Sequence, residues 1–222
     1  AVIVGHNTTE WFKQKVGVLQ GYILSPDFFN INLEHVMRIA LQEECINIGA
    51  IINGRNINNL RFADDIDHIA ENLDELQLLL DRVDKISNDY GLEISVTKTE
   101  WMQMGSKKQT ENIQLQEETL LLKGNPLNKV DHFRYLGATV TANCECGKEI
   151  SIRTAIALRT MGELDKLWKS TKASMSIKIR LYRSLILPIA LYGCETWTLR
   201  QAEEKKLLVF EMAALRKILG IS

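Results

Sequence analysis

Two aspartates, Asp64 and Asp65, stand side by side between short strand-like stretches, Asn59-Leu-Arg-Phe-Ala63 before them and Ile66-Asp-His-Ile-Ala70 after them. Neighbouring carboxylates repel, and burial raises their pKa unless a cation lies between them. The chain must therefore bring the pair to solvent or to a cation. The apolar stretches on both sides make a β-hairpin with the acids at its tip the expected form. Two uses of such a tip stay open. Aspartate is a common turn residue, so the pair can be a polar turn and no more. It can also seat a hard divalent cation such as Mg²⁺, which takes one or two carboxylates together with phosphate oxygens; that use points to metal-assisted phosphoryl chemistry.

The hydrophobic pattern on either side sets the architecture. Glu10 to Gln20 alternates weakly, as a strand or loop. Ser25 is an expected N-cap with Pro26 at the first helical position. Phe28, Phe29, Ile31, Leu33, Val36, Met37 and Ala40 then give one apolar helical face ending near Glu44. Ile48 to Ile52 reads as a strand, Asn53-Gly54 as a two-residue hairpin turn, and Ile57 to Phe62 as the returning strand. Leu73, Leu76, Leu79, Leu80, Val83 and Ile86 predict a second amphipathic helix, with Gly91 past its end. Leu92 to Met104 is expected to be extended and 105–118 to be a polar surface connection. Leu120 to Leu122 and Phe133 to Gly137 are expected short strands around the turn containing Gly124-Asn125-Pro126, with Leu136 in the core. From Lys148 the period becomes helical, giving helices at about 149–169, 175–192 and 201–219, the second kinked or shortened by Pro188.

The 222 residues suffice for one large domain or two small ones, and 45% hydrophobic with 25% charged residues is an ordinary globular composition. No apolar run reaches the roughly 18 residues of a membrane span, and the start lacks a secretory pattern, so the expectation is an intracellular protein, cytoplasmic or nuclear. The chain opens Ala1-Val-Ile-Val4 without a methionine and reads as an excerpt from something longer. Cys45, Cys144, Cys146 and Cys194 are too scattered for a disulfide framework, and Cys144 and Cys146 with His132 lack the spacing of a zinc knuckle. The net charge of −1 hides a division: 14 Lys+Arg against 22 Asp+Glu in residues 1–150, and 13 against 6 in 151–222. A basic C-terminal part suits a polyanionic partner, though basic residues also simply solvate helices.

Four blocks occur in a telling order. Val16-Gly-Val-Leu-Gln-Gly21, running on to Leu24-Ser25-Pro26, resembles motif B of reverse transcriptases. Leu60-Arg-Phe-Ala-Asp-Asp65 resembles motif C, Gly91-Leu-Glu-Ile-Ser-Val-Thr-Lys-Thr-Glu100 motif D, and Phe133-Arg-Tyr-Leu-Gly137 motif E, the primer grip. Ile186 to Trp197 and Arg216-Lys-Ile-Leu-Gly220 look like the helical thumb of non-LTR (LINE-type) retrotransposon reverse transcriptases. The resemblance implies an α+β fold: an incomplete polymerase palm over 1–147, an antiparallel sheet with packed helices, followed by an all-helical thumb over 148–222.

The resemblance also implies roles. Asp64 and Asp65 would hold catalytic Mg²⁺, two ions in an intact enzyme, with Asp64 the direct ligand; Asp67 reads as a solvated acid sharing a strand face with Asp65. Lys98 would lie near the pyrophosphate as a proton donor. Gln20, Gly21 and Phe62 would meet template or incoming nucleotide. Phe133, Tyr135 and Gly137 would grip the primer, against a bland alternative of sheet packing. Arg153, Arg159, Lys166, Lys169, Lys172, Lys178, Arg180 and Arg183 would contact phosphates, while Trp168 and Trp197 anchor the helices. The partners implied are an RNA template, a DNA primer and deoxynucleoside triphosphates, with no membrane.

The family's motif A aspartate has no counterpart before Gly17, where Glu10, in Thr8-Thr-Glu-Trp-Phe12, is the only acid. Fingers and an endonuclease domain are absent from these residues as well. Leu19 stands where the family often has Arg, Tyr22 where it has a small residue, and His68 where it has an apolar one. The expectation is a reverse transcriptase palm and thumb that does not polymerise alone. The alternatives are a non-catalytic RNA- or hybrid-binding module and a non-functional relic whose palm lacks a strand.

Overall fold

The computed structural model describes residues 3–5, 7–11, 17–42, 47–105 and 119–221. Phe12, Cys45 and the 105–118 connection beyond Gly105 lie outside these residues. Packing divides the chain into two compact units, Ala1–Thr99 with Glu118–Leu127 and Glu100–Glu117 with Asn128–Ser222. Helices and strands mix throughout, an α+β protein, and no described helix is long and apolar enough to cross a membrane.

In the first unit, helices α1 (Ser25–Ala40) and α2 (Leu73–Asp89) pack through Leu33, Met37, Ala40 and Val83. Ser25 is not the expected cap. It is the first residue of α1; its hydroxyl is buried and donates back to the Leu19 carbonyl, so it closes the preceding turn instead. Asn72 caps α2 by accepting from the Glu75 N–H at 2.9 Å, and Gly91 takes φ 74° past its end as the sequence predicts.

Strands β1 (Ile3–Val4) and β2 (Asn7–Thr8) pair antiparallel, as do β3 (Ala50–Ile52) and β4 (Arg55–Ile57), β5 (Asn59–Phe62) and β6 (Asp65–His68), and β8 (Leu121–Leu122) and β9 (Asn125–Pro126). Asn53-Gly54 forms the predicted turn with both φ values positive, 51° and 76°, the mirror-image geometry that matches strand twist. Gly49, at φ 127°, lies so close to this hairpin that a Cβ would sit 2.5 Å from the Ile57 carbonyl oxygen.

In the second unit, β7 (Glu100–Trp101) pairs in parallel with β10 (Asn128–Lys129), and β11 (His132–Tyr135) forms a hairpin with β12 (Ala138–Thr141). Residues 120–122 and 133–137 thus belong to separate hairpins rather than flanking one turn. Among the described residues every ladder has two strands, so the expected single antiparallel sheet is not assembled there.

Helices α3 (Gly147–Glu163), α4 (Asp165–Trp168), α5 (Met175–Leu181), α6 (Leu187–Ala190) and α7 (Gln201–Leu219) follow. Tyr182–Ile186, between α5 and α6, winds as a π-helix. Pro188 explains this: it offers no N–H to the Ser184 carbonyl and its ring crowds that turn, so the helix widens one turn early. Ala157, Met161, Trp168, Tyr182, Ile186, Ala190, Phe210, Ala214 and Ile218 form one core. Trp168 donates its indole N–H to the Met161 carbonyl at 2.9 Å, the anchoring role the sequence suggests. Packing places the β11–β12 hairpin with the helices, while the change of periodicity lies at 147/148.

Candidate active site

The two acids do stand at a hairpin tip. Phe62 pairs with Asp65 in the last rung, leaving Ala63 and Asp64 as the turn. Its geometry differs from the other two-residue turns. Asn53-Gly54, Lys123-Gly124 and Leu136-Gly137 all have two positive φ values. Here only Ala63 is left-handed, at φ 53°, and Asp64 is not. An alanine is held where glycine is favoured, at a cost of about 1–2 kcal/mol. Backbone strain of this kind gathers at sites where a side chain must be aimed.

The hairpin's faces follow from its register. Asn59, Arg61, Ile66 and His68 share one face; Leu60, Phe62, Asp65 and Asp67 share the other. Ile66 packs against the α1–α2 core, and Arg61 Nη1 pairs with Glu34 Oε2 of α1 at 2.8 Å. Arg38 and then Arg61 hold the Glu34 carboxyl below its usual range. The opposite face is open, with Phe62 63% exposed beside exposed Asp64 and Asp65. Asp67 shares Asp65's face as predicted, yet it is half-buried rather than solvated. Burial, then the Asp65 charge, pushes its pKa up. His68 is enclosed with its Nδ1 unpartnered; burial, then the Arg61 charge, lowers its pKa to about 4.

Gln20 and Gly21 lie exposed on a turn in which the Leu19 carbonyl accepts the Tyr22 N–H and the Ser25 hydroxyl. Gly21 takes φ 84°, a conformation that L side chains rarely adopt. Lys98 is not on an extended stretch. It sits exposed on a turn whose Ser95 carbonyl accepts both the Lys98 and Thr99 N–H groups, at 3.2 and 3.0 Å.

In the second unit, Phe133 and Tyr135 share one half-buried face of β11. Leu136 is not core: it occupies the turn at φ 47° and is 39% exposed. Arg153 is not free for phosphate. Its guanidinium is nearly buried, pairs with Glu149 Oε1 at 2.5 Å and donates to the Gly137 carbonyl. Lys178 is buried too, with Nζ on the Trp168 carbonyl at 2.5 Å. Lys169 pairs with Asp165 at 2.7 Å and Arg159 with Glu163 at 3.3 Å, both exposed. Lys166, Lys172, Arg180 and Arg183 are exposed and form no ion pair among the described residues. Arg180 and Arg183 line an open groove with Met175, Ser176, Ile179 and Ser184. Cys146 Sγ lies 3.2 Å from the Thr198 carbonyl.

Residues 2–140 match the family model described as reverse transcriptase (RNA-dependent DNA polymerase). This chain belongs to the reverse transcriptase family. The matched segment contains all four motif blocks read from the sequence. Relatives of this reverse transcriptase segment include Pol polyproteins of R2 retrotransposable elements and a transposon-derived protein. It is 26% identical over 181 residues, 80% of the chain, to a retrovirus-related Pol polyprotein from type-1 retrotransposable element R2 of Nasonia vitripennis. It is 26% identical over 190 residues, 82% of the chain, to the corresponding polyprotein of a type-2 element of Drosophila melanogaster. An uncharacterized transposon-derived protein of Caenorhabditis elegans is 28% identical over 176 residues, 77% of the chain. The matched stretch covers 60% of the worm protein and 17% and 16% of the two polyproteins.

The carboxylate set can be tested against the metal such a family uses. Asp64 and Asp65 are exposed hard-oxygen donors, and half-buried Asp67 lies on the same face as Asp65. They fit one Mg²⁺ held jointly with phosphate oxygens. Among the described residues no three of His, Cys, Asp or Glu converge to hold a metal, so a complete two-ion set does not fit. The strained Ala63 turn, the burial of His68 and the Glu149–Arg153 pair were not foreseen. A signal existed only for the last, in the spacing of four between an acid and an arginine on a helix.

Proposed function

We propose that this chain is the palm and thumb portion of an RNA-directed DNA polymerase from a LINE-type retroelement, with palm over 1–147 and thumb over 148–222, and that these residues do not polymerise by themselves. The observation that carries the reading is the pair of exposed carboxylates on a strained two-residue turn inside the segment matched to the family. Asp64 and Asp65 would hold Mg²⁺, which when bound would supply charge neutralisation for primer 3′-hydroxyl attack and pyrophosphate departure. Ala63 aims the acids, and Ile66 and Arg61 brace the hairpin against α1 and α2. Gln20 and Gly21 present a bare backbone turn to template or nucleotide, Phe62 supplies an exposed aromatic face beside the acids, and Lys98 lies by the pyrophosphate. Phe133, Tyr135 and Gly137 grip the primer backbone. The residues before Gly17 offer no aspartate as a third carboxylate, only Glu10.

Primer extension on an RNA template with Mg²⁺ and deoxynucleoside triphosphates tests this. These residues alone yield no product; joined to an upstream Asp-bearing strand they extend the primer, and Asp64→Ala abolishes extension. Equal extension by the Asp64→Ala chain overturns the site.

A second reading is a non-catalytic RNA- or hybrid-binding module, favoured by the unpaired Lys166, Lys172, Arg180 and Arg183. Phosphate contacts release counterions, so four of them give a log–log slope of affinity against salt of roughly −3 to −4. Anisotropy titrations at several salt concentrations check this without metal, and no binding at low salt removes it.

A further inference from the structure

We propose that Glu149, Arg153 and Tyr192 are positioning residues that fasten the turn of the β11–β12 hairpin to the helical bundle, so that the bundle carries the primer-gripping turn as one body. The naming of this hairpin as a primer grip rests on the reading above; the fastening itself does not.

Three backbone groups around the turn are each held by a side chain from elsewhere in the unit. The Leu136 carbonyl accepts from the Tyr192 hydroxyl at 2.8 Å. The Gly137 carbonyl accepts from Arg153 Nη2. The Thr139 N–H donates to Glu149 Oε2 at 2.8 Å. These holders also hold one another. Glu149 Oε1 accepts Arg153 Nε at 2.5 Å, and the guanidinium carbon lies 4.2 Å from the Tyr192 ring centroid, a cation–π contact.

The charged pair at the centre of the network is buried, while Tyr192, 47% exposed, covers it from the surface. Glu149 is 3% exposed. Burial pushes its pKa up, but hydrogen bonds from Arg153 and Thr139 outweigh it and the net shift is downward. A carboxylate kept ionised in such a place needs its partners. Leu136 and Gly137 are both left-handed, at 47° and 84°. Their carbonyls are therefore turned away from the ladder, where side chains can reach them. A Cβ at Gly137 would meet the Tyr192 hydroxyl at 3.4 Å, an ordinary contact, so it is the positive φ that favours glycine there. Helix α3 thus commits Arg153 to the hairpin and not to phosphate.

The test uses the whole chain and two readouts. In amide hydrogen exchange, the hairpin of the native chain opens together with α3. Arg153→Lys keeps the charge but cannot span Glu149 and Gly137 or stack on Tyr192. It and Tyr192→Phe are expected to speed exchange at 136–139 by about tenfold or more while Ala157 and Phe210 stay protected. Unchanged exchange at 136–139 in both variants, or hairpin opening independent of α3 in the native chain, overturns the proposal. The second readout is an RNA–DNA hybrid with 2-aminopurine at the primer 3′ end. Arg153→Lys is expected to hold the hybrid within about twofold of native affinity, since the guanidinium is engaged by Glu149 and Gly137 and not by phosphate, yet to change the 3′-terminal fluorescence. Loss of affinity and signal in parallel identifies Arg153 as a direct nucleic-acid contact and also overturns it. A native chain that ignores the hybrid refutes the polymerase reading, and the exchange data then decide the fastening alone.

Discussion

The two compact units bury their apolar surface differently. In the helical unit, residues from α3, α4, the π turn, α6 and α7 close around Trp168 in one core. In the unit bearing the acids, the buried apolar residues described are spread over a cluster between α1 and α2, a second at Ile48 and Leu79, and Leu120, Leu122 and Leu127 near β8 and β9. Phe28, Ile31, Leu60 and Phe62 remain exposed there, and two of them share a face with Asp65 and Asp67. The bundle closes one core yet also leaves Ile177, Leu208 and Val209 exposed on its surface. The acid hairpin is packed against α1 and α2 through one face and exposed on the other.

The largest test of this contrast is Trp168→Ala. Removing a buried indole from a single core should cost about 3–5 kcal/mol, read as a lower denaturant midpoint for the helical unit. A loss below about 1 kcal/mol would mean that the core is not continuous around Trp168.

Next is pH. The unfolded His68 imidazole takes a proton near 6.5 and the folded one only near 4. The unfolded state binds more protons between these values, so stability falls as pH drops through that window. The loss is at most about 3 kcal/mol. Denaturant midpoints at pH 7 and pH 5 should separate in the native chain and converge in His68→Leu. Equal separation in both places the titrating group elsewhere.

Ala63→Gly relieves the left-handed alanine and should stabilise the hairpin by up to about 1 kcal/mol, seen as slower exchange across 59–68. A destabilised hairpin would mean that the alanine methyl has a packing role. The smallest effect is expected of Phe62→Ala. On the open face it should shift stability by no more than about 0.5 kcal/mol, while lowering hybrid affinity. A large stability loss would show that this face is covered after all.

The sequence was legible where local chemistry decides. Asn53-Gly54, Gly91 and the 201–219 helix fall where the pattern puts them because turn and helix-end geometry depend on a few adjacent residues. The Asp64–Asp65 tip was legible because two adjacent charges cannot be buried. The misread positions involve groups distant in sequence. Ser25 turned from cap to turn-lock because the Leu19 carbonyl was within reach. Arg153 and Lys178 looked like surface cations because composition does not reveal Gly137 or Trp168 beside them. Leu136 looked like core because its left-handed turn follows from the hairpin register rather than from its own side chain. The Pro188 effect was foreseen in kind, but the helix widened into a π turn instead of breaking.

The most direct test of the central claim is a titration of the chain with Mn²⁺, a paramagnetic substitute for Mg²⁺, followed by NMR line broadening. Weak binding is expected, with broadening centred on residues 62–65 and removed by Asp64→Asn. Broadening that survives Asp64→Asn, or that centres elsewhere in the chain, would contradict that claim.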